Sequence, residues 1–202
     1  MSRSALDHSC QTGRAPISEH RGDCYDTPPV AVHALLRVER LPHCIWEPAC
    51  GAGNIVTVLR KAGHEVIATD LNDRGCPDSL SRIDFLLPAT FACDAIVTNP
   101  PYALAARFVA LALERAPLVA MLLRLAFLES AQRSSILDSG KLARVHLFVN
   151  RLPMMHREGW TGRKARSAIP FAWVIWNRVH RGPTAFDRIW WRPVDNAPDR
   201  CI

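Results

Sequence analysis

The sequence predicts an α/β fold: a doubly wound, mostly parallel, seven-stranded sheet with helices on both faces and an antiparallel C-terminal strand. Three observations predict it. Apolar runs of strand length alternate with stretches of helical spacing along most of the chain. A glycine turn, Gly51-Ala52-Gly53, falls between a strand and a helix, where such folds meet their ligands. The 202 residues, 49% of them apolar, suffice for one well-buried core and leave no room for a large second domain.

Residues 1–24 are polar, mixed in charge and without periodicity, and read as a flexible arm ahead of a single domain over 25–202. Residues 29–40 have helical spacing behind Pro28-Pro29. Cys44-Ile45-Trp46 is a short strand, 54–62 a helix stopped by Gly63, and 64–69 a second strand. A third strand is expected around 83–86 and a fourth over 95–98. An amphipathic helix over 104–116 is closed by Pro117, and 118–125 follows as a buried strand. A helix near 130–138 leads to strands at 143–149 and 171–176. Residues 184–191 return antiparallel after the Arg181-Gly182-Pro183 turn. Residues 150–170 lack a clear period and are rich in Arg, Gly, Met and Trp; loops that long are usually functional or disordered.

The net charge of +6 comes almost wholly from arginine. Its planar fork grips phosphate bidentately, which favours a polyanionic partner, although a coding bias toward arginine gives the same composition. The seven cysteines show neither a CxxC pair nor a zinc spacing, so no metal site or disulfide framework is expected and a reducing cytoplasm is. The most apolar run, 118–128, is too short to span a bilayer and contains Arg124, and no leader pattern opens the chain. His20, His33, His43 and His64 have no ligand spacing.

Two motifs carry chemistry. In Glu47-Pro48-Ala49-Cys50-Gly51-Ala52-Gly53-Asn54 the glycines permit a tight turn and close approach of backbone to ligand. Asp70 ends the next strand, with Leu71 beside it, where a carboxylate can accept from both ribose hydroxyls of a nucleoside. A dinucleotide would want a third glycine for its pyrophosphate, and 54–59 offers none; a cofactor without phosphates fits better. The second motif, Thr98-Asn99-Pro100-Pro101-Tyr102, ends an apolar strand. An adenine or amide nitrogen is a poor nucleophile, because its lone pair is delocalised. It needs acceptors that draw its N–H hydrogens out of plane, and Asn99 Oδ1 with the Pro100 carbonyl can be those acceptors. Pro100 and Pro101 fix the backbone and lack N–H groups, and Tyr102 offers a face for a planar base.

The first motif resembles motif I of class I S-adenosylmethionine-dependent methyltransferases, which have a Rossmann-like fold. That resemblance implies that Glu47, Ala49, Gly51 and Gly53 hold the methionine part of the cofactor. Ile83-Asp84-Phe85-Leu86 resembles the adenine-contacting segment, with Asp84 as acceptor for the adenine amine and Phe85 near the ring. Tyr25-Asp26-Thr27-Pro28-Pro29 resembles motif X, which implies that Tyr25 and Thr27 contact the cofactor; Thr-Pro is also a good helix start. Asn99-Pro100-Pro101-Tyr102 looks like motif IV of amino-methyltransferases, and its asparagine also borders the cofactor. The order X, I, IV is that of gamma-type DNA N6-adenine enzymes. The compact build and the tail from Gly159 to Trp176 look like small prophage-type members.

Between Lys141 and Arg192 basic residues far outnumber Glu158 and Asp187. Trp160, Arg163, Lys164 and Arg166, with Met154, Met155 and His156, give the 150–170 loop stacking and phosphate-pairing groups suited to an extruded base. Trp173 and Trp176 read as packed in the sheet. The expected activity is methylation of adenine N6 in DNA with short or weak specificity. An RNA base amine or a protein glutamine amide is the alternative within the same chemistry, and a non-catalytic binding module is the alternative outside it.

Overall fold

A computed structural model describes residues 26–153 and 169–192. It contains a seven-stranded sheet in the order β2-β1-β3-β4-β6-β5-β7, formed by β1 (Cys44–Glu47), β2 (Glu65–Ala68), β3 (Ala95–Thr98), β4 (Leu118–Arg124), β5 (Leu142–Phe148), β6 (Phe171–Asn177) and β7 (Ala185–Ile189). Four helices flank it: α1 (Pro29–Leu36), α2 (Asn54–Lys61), α3 (Ala105–Arg115) and the single turn α4 (Ser134–Leu137).

Alternation along the strands divides the core into two layers. Ile45, Val97, Ala120 and Trp173 pack with Ala31, Val32, Ile55 and Leu59 of α1 and α2. Trp46, Ile96, Met121 and Trp176 pack with Phe108, Val109 and Ala112 of α3 and with Ile136 of α4. Successive residues of a strand point to opposite faces, so strands with helices on both sides are buried throughout, as β3 and most of β4 are. Trp173 and Trp176 are both fully buried, three positions apart and therefore in opposite layers. Their indole N–H groups donate to the carbonyls of Ala31 (2.8 Å) and Ile136 (3.2 Å).

The doubly wound, mostly parallel sheet is as the sequence predicts, with several local corrections. The strand that runs against the others is β6, inserted between β4 and β5, whereas the last strand, β7, pairs parallel with β5. No strand forms at 83–86. Leu80 makes one parallel bridge to Thr69, and then Arg82 takes a φ of 62°, which turns the chain away. The Asp84 carboxylate next accepts the Leu86 N–H (2.8 Å), using a donor that a ladder would need. Arg115 of α3 ties this loop down by donating to the Phe85 and Leu87 carbonyls. Helix α1 stops at Leu36, four residues early, and Glu39 beyond it is drawn into a buried cluster on β5 with Arg144 (2.8 Å to Oε2) and His146 (2.7 Å to Oε1). The helix expected at 130–138 is present as a 3-10 turn, Ala131–Arg133, that runs into α4 after an extended Ser130.

Candidate active site

The strand order reverses between β1 and β3: the chain leaves β1 toward β2 on one side and returns to β3 on the other. In open α/β sheets the crevice outside the carboxyl ends at such a point is where ligands sit. Glu47 ends β1 and Thr98 ends β3, with Asn99 next, so the fold brings the two sequence motifs to one crevice.

On the β1 side, Gly51 and Gly53 have φ of 54° and 86°, a region that favours glycine. Gly53 is the N-cap of α2, and a Cβ on it would lie 2.6 Å from Cys76 Sγ. The Gly51 N–H donates to Asp70 Oδ2 (2.9 Å) and the Asn72 N–H to Oδ1 (2.9 Å). Asp70 thus binds the glycine turn to the end of β2, and Arg74 Nε lies 3.9 Å from Oδ1. Each carboxylate oxygen still has a lone pair for a ligand hydroxyl. Leu71 beside it is exposed.

Glu47 is fully buried. Its Oε1 accepts the Ala49 N–H (3.0 Å), while Oε2 faces the neighbouring Thr98 hydroxyl without a well-formed hydrogen bond to any described residue. Burial pushes the Glu47 carboxyl up to about 8, against the lowering effect of the Thr98 hydroxyl and the Ala49 N–H, with the Asp70 charge adding to the rise. An orphaned buried oxygen is costly, and a ligand that donates to it or carries positive charge relieves that cost.

The segment 83–86 is close to this side only in part as expected. Asp84 sits in a turn. The Phe85 ring is 2% exposed and packs on Trp46 and Phe108, with centroids 5.1 Å and 4.7 Å away. That ring belongs to the core, so the segment does not present it as open surface for a cofactor ring.

On the β3 side, Asn99 Nδ2 donates to Thr27 Oγ1 (3.1 Å). The N-cap of α1 is Pro28 and no side chain caps the helix, so the buried Thr27 hydroxyl is engaged with Asn99 and not with the helix start. This contact also places the amide oxygen of Asn99 at the end opposite Thr27. The Pro101 carbonyl accepts the Leu104 N–H (2.9 Å), starting a 3-10 turn at Tyr102. Tyr102 lies against Phe171 (5.9 Å), and the guanidinium carbon of Arg124 stands 3.9 Å from its ring centroid. One face of the ring expected to stack a base is therefore covered by Arg124. Sequence reading passed over this arginine; its signal is a lone charge closing an apolar strand whose neighbour carries the proline motif.

Tyr25, Trp160, Arg163, Lys164 and Arg166, together with Met154, Met155 and His156, lie outside the described residues. Within them, part of the basic tail has structural work. Arg144 is paired with Glu39, and Arg178 donates to the carbonyls of Leu113, Glu114 and Ala116 at the end of α3. Among the described residues no group of three or more His, Cys, Asp or Glu could hold a metal ion, and no helix is long and apolar enough to cross a membrane.

No protein-family model matches the chain, and no curated protein matches it. Solved structures do. One is described as a modification subunit of a type I restriction enzyme from Vibrio vulnificus YJ016, with TM-score 0.57 and 12% identity over 88% of this chain and 48% of that one. Another is described as a class I S-adenosylmethionine-dependent methyltransferase from Listeria monocytogenes, with TM-score 0.55 and 13% identity over 79% of this chain and 62% of that one. A third is the E. cuniculi Mtq2-Trm112 complex responsible for methylation of the eRF1 translation termination factor, with TM-score 0.52 and 19% identity over 80% of this chain and 100% of that one. The chain spans about half the length of the Vibrio subunit and about three fifths of the Listeria protein. At these identities the likeness is one of fold. The chain has the Rossmann-like fold of class I methyltransferases.

Proposed function

We propose that this chain is an S-adenosylmethionine-dependent methyltransferase acting on an exocyclic amino nitrogen, adenine N6 in DNA. The observation that carries the reading is the meeting of Asn99-Pro100-Pro101-Tyr102 with the Glu47 to Gly53 turn at the switch point of the sheet. The β1 side fits the cofactor: a glycine turn closed against Cys76, Asp70 with acceptor capacity for a ribose, and the orphaned Glu47 Oε2 for the methionine part. When bound, S-adenosylmethionine supplies a methyl group on a sulfonium, already a good leaving group.

The chain's own work is then positional. Asn99, held by Thr27, and the Pro100 carbonyl accept the two amine hydrogens and hold the nitrogen's lone pair toward the methyl. Tyr102 keeps the base plane in register. A base inside a duplex cannot reach such a crevice, so the reading implies flipping or a single-stranded substrate. The excess of arginine supports a nucleic acid, and the expected contacts of Trp160, Arg163, Lys164 and Arg166 belong to this reading.

A glutamine amide is the second reading, supported by the fold match, over 80% of this chain, to a complex that methylates a protein, the eRF1 translation termination factor. Methyl transfer from labelled S-adenosylmethionine into duplex DNA, single-stranded DNA, RNA and a glutamine-bearing peptide tests both. Label in DNA is expected. Label only in RNA, or only in peptide, removes the DNA assignment, and no binding of S-adenosylmethionine by calorimetry would leave a non-catalytic module.

A further inference from the structure

Arg124 is the last residue of β4, next in the sheet to the strand that carries Asn99, and is paired across the ladder with Phe171 of β6. Its guanidinium is stacked on Tyr102, 3.9 Å from the ring centroid. The Nε is buried and has no hydrogen-bond partner, and no salt bridge of the described residues includes this arginine. This contrasts with three other arginines of the fold: Arg144 is paired with Glu39, Arg115 donates to loop carbonyls and Arg178 donates to carbonyls at the end of α3. A partly buried guanidinium with neither carboxylate nor carbonyl to serve is an anion site in waiting, because removing a charge from water is compensated only by an opposite charge or acceptors.

We propose that Arg124 binds the phosphodiester next to the base presented to Asn99, and so selects a nucleic-acid acceptor. The inference rests on the methyltransferase reading above. Contact with the Tyr102 ring holds the guanidinium in place, and a guanidinium over a ring still has N–H donors at its edge for bidentate recognition of phosphate. A neutral amide brings no anion of its own to this fork, whereas every nucleotide of a nucleic acid carries a phosphate. Arg124 is thereby a positioning residue for the acceptor: it clamps the backbone while Tyr102, supported on the opposite side of the same contact, holds the base.

The test uses the full-length protein with heteropolymeric unmethylated DNA, comparing wild type with Arg124→Ala and Arg124→Lys. Turnover gives KM and kcat, and DNA binding in the presence of S-adenosylhomocysteine is followed against salt. Arg124→Ala is expected to raise KM for DNA about tenfold or more and to lower the slope of log affinity against log salt by about one phosphate's worth, near 0.9, with S-adenosylmethionine affinity unchanged. Arg124→Lys should restore the salt slope but only part of KM, since it keeps charge without the planar fork. An unchanged salt slope with reduced kcat would make Arg124 a mere prop for Tyr102 and overturn the proposal. So would lost cofactor binding with a normal DNA slope. If wild type methylates neither DNA nor RNA yet methylates a glutamine peptide, the nucleic-acid reading itself has failed, and the phosphate role with it.

Discussion

The two sides of the crevice are built differently. The β1 side is a closed local device: the Gly51 and Asn72 N–H groups both donate to the Asp70 carboxylate, Gly53 abuts Cys76, and a fully buried Glu47 oxygen lacks a well-formed hydrogen bond to any described residue. The β3 side is assembled from distant parts of the chain: Thr27 from before α1, Asn99 and Tyr102 from after β3, Arg124 from β4 and Phe171 from β6. A side made of two neighbouring turns joined on one carboxylate can be preorganised locally. A side made of four segments depends on the whole sheet, and its chemistry changes when any one partner changes. The cofactor side is thus expected to tolerate damage to the acceptor side, and the predictions below test that independence.

The largest effect is expected from Asn99→Ala. Removal of one of two acceptors for the amine hydrogens should cut kcat by about a hundredfold or more, while calorimetric affinity for S-adenosylmethionine stays within a few-fold. Unchanged turnover would remove Asn99 from the chemistry. Equal loss of turnover and cofactor binding would show that the two sides are one cooperative unit.

Next in size is a pH effect on the β1 side. The Glu47 carboxyl is raised to about 8 by burial, so between its unfolded value near 4.5 and about 8 the folded state holds a proton that the unfolded state has lost. Stability from this group is complete below the lower value, falls as pH rises through the window by at most about 1.4 kcal/mol per unit, and is level above it. A ligand ammonium paired with Glu47 works in the opposite direction, because it needs the ionised carboxylate; S-adenosylmethionine affinity should rise with pH up to about 8 with release of a proton. Thermal melts and calorimetry in buffers of different ionisation enthalpy measure both trends. Glu47→Gln should flatten both, and a wild-type affinity independent of pH from 6 to about 8 would remove Glu47 from the ligand's charge.

Gly53→Ala should cost about 1–3 kcal/mol of stability, read as a lower melting temperature, because the added methyl meets Cys76 Sγ at 2.6 Å in a left-handed backbone. Gly63→Ala is the control: its φ of 92° is equally unfavourable, but nothing lies within 4 Å of the new Cβ. If the two variants lose the same stability, backbone strain alone accounts for the glycines. A larger loss at Gly53, with weaker cofactor binding, assigns the difference to the closed turn.

The same contrast governs what the sequence revealed. Gly51, Gly53 and Asp70 act through backbone turns and a single strand end, so their spacing is enough to place them. Asn99 and its prolines are a contiguous motif at the end of an apolar strand and were equally readable. Arg124 was not, because its meaning comes from Tyr102, in contact with it beyond the neighbouring strand of the fold but 22 positions away in the chain. Phe85 reads as part of a strand, and the resemblance of 83–86 to an adenine-contacting segment implies a place near the cofactor ring; its packing on Trp46 and Phe108 is visible only in the fold. The direction of β7 was misread for a similar reason: a glycine-proline turn looks like a hairpin, but β6 already holds the reversed position between β4 and β5.

The smallest predicted effect is also the sharpest test of how the β3 side is held. Thr27 touches Asn99 through one hydrogen bond of 3.1 Å, and a neutral hydrogen bond contributes about 0.5–1.5 kcal/mol. Thr27→Val preserves shape and removes the acceptor that orients the Asn99 amide nitrogen. Turnover should fall by roughly two- to tenfold, mostly in kcat, and Thr27→Ser should recover it. If Thr27 instead contacts the cofactor, as its motif implies, valine will weaken S-adenosylmethionine binding and leave kcat at saturation near wild type. Combining Thr27→Val with Asn99→Ala separates the cases. Once Asn99 is gone, a threonine that acts through it has nothing left to position, and the second substitution should add no further loss.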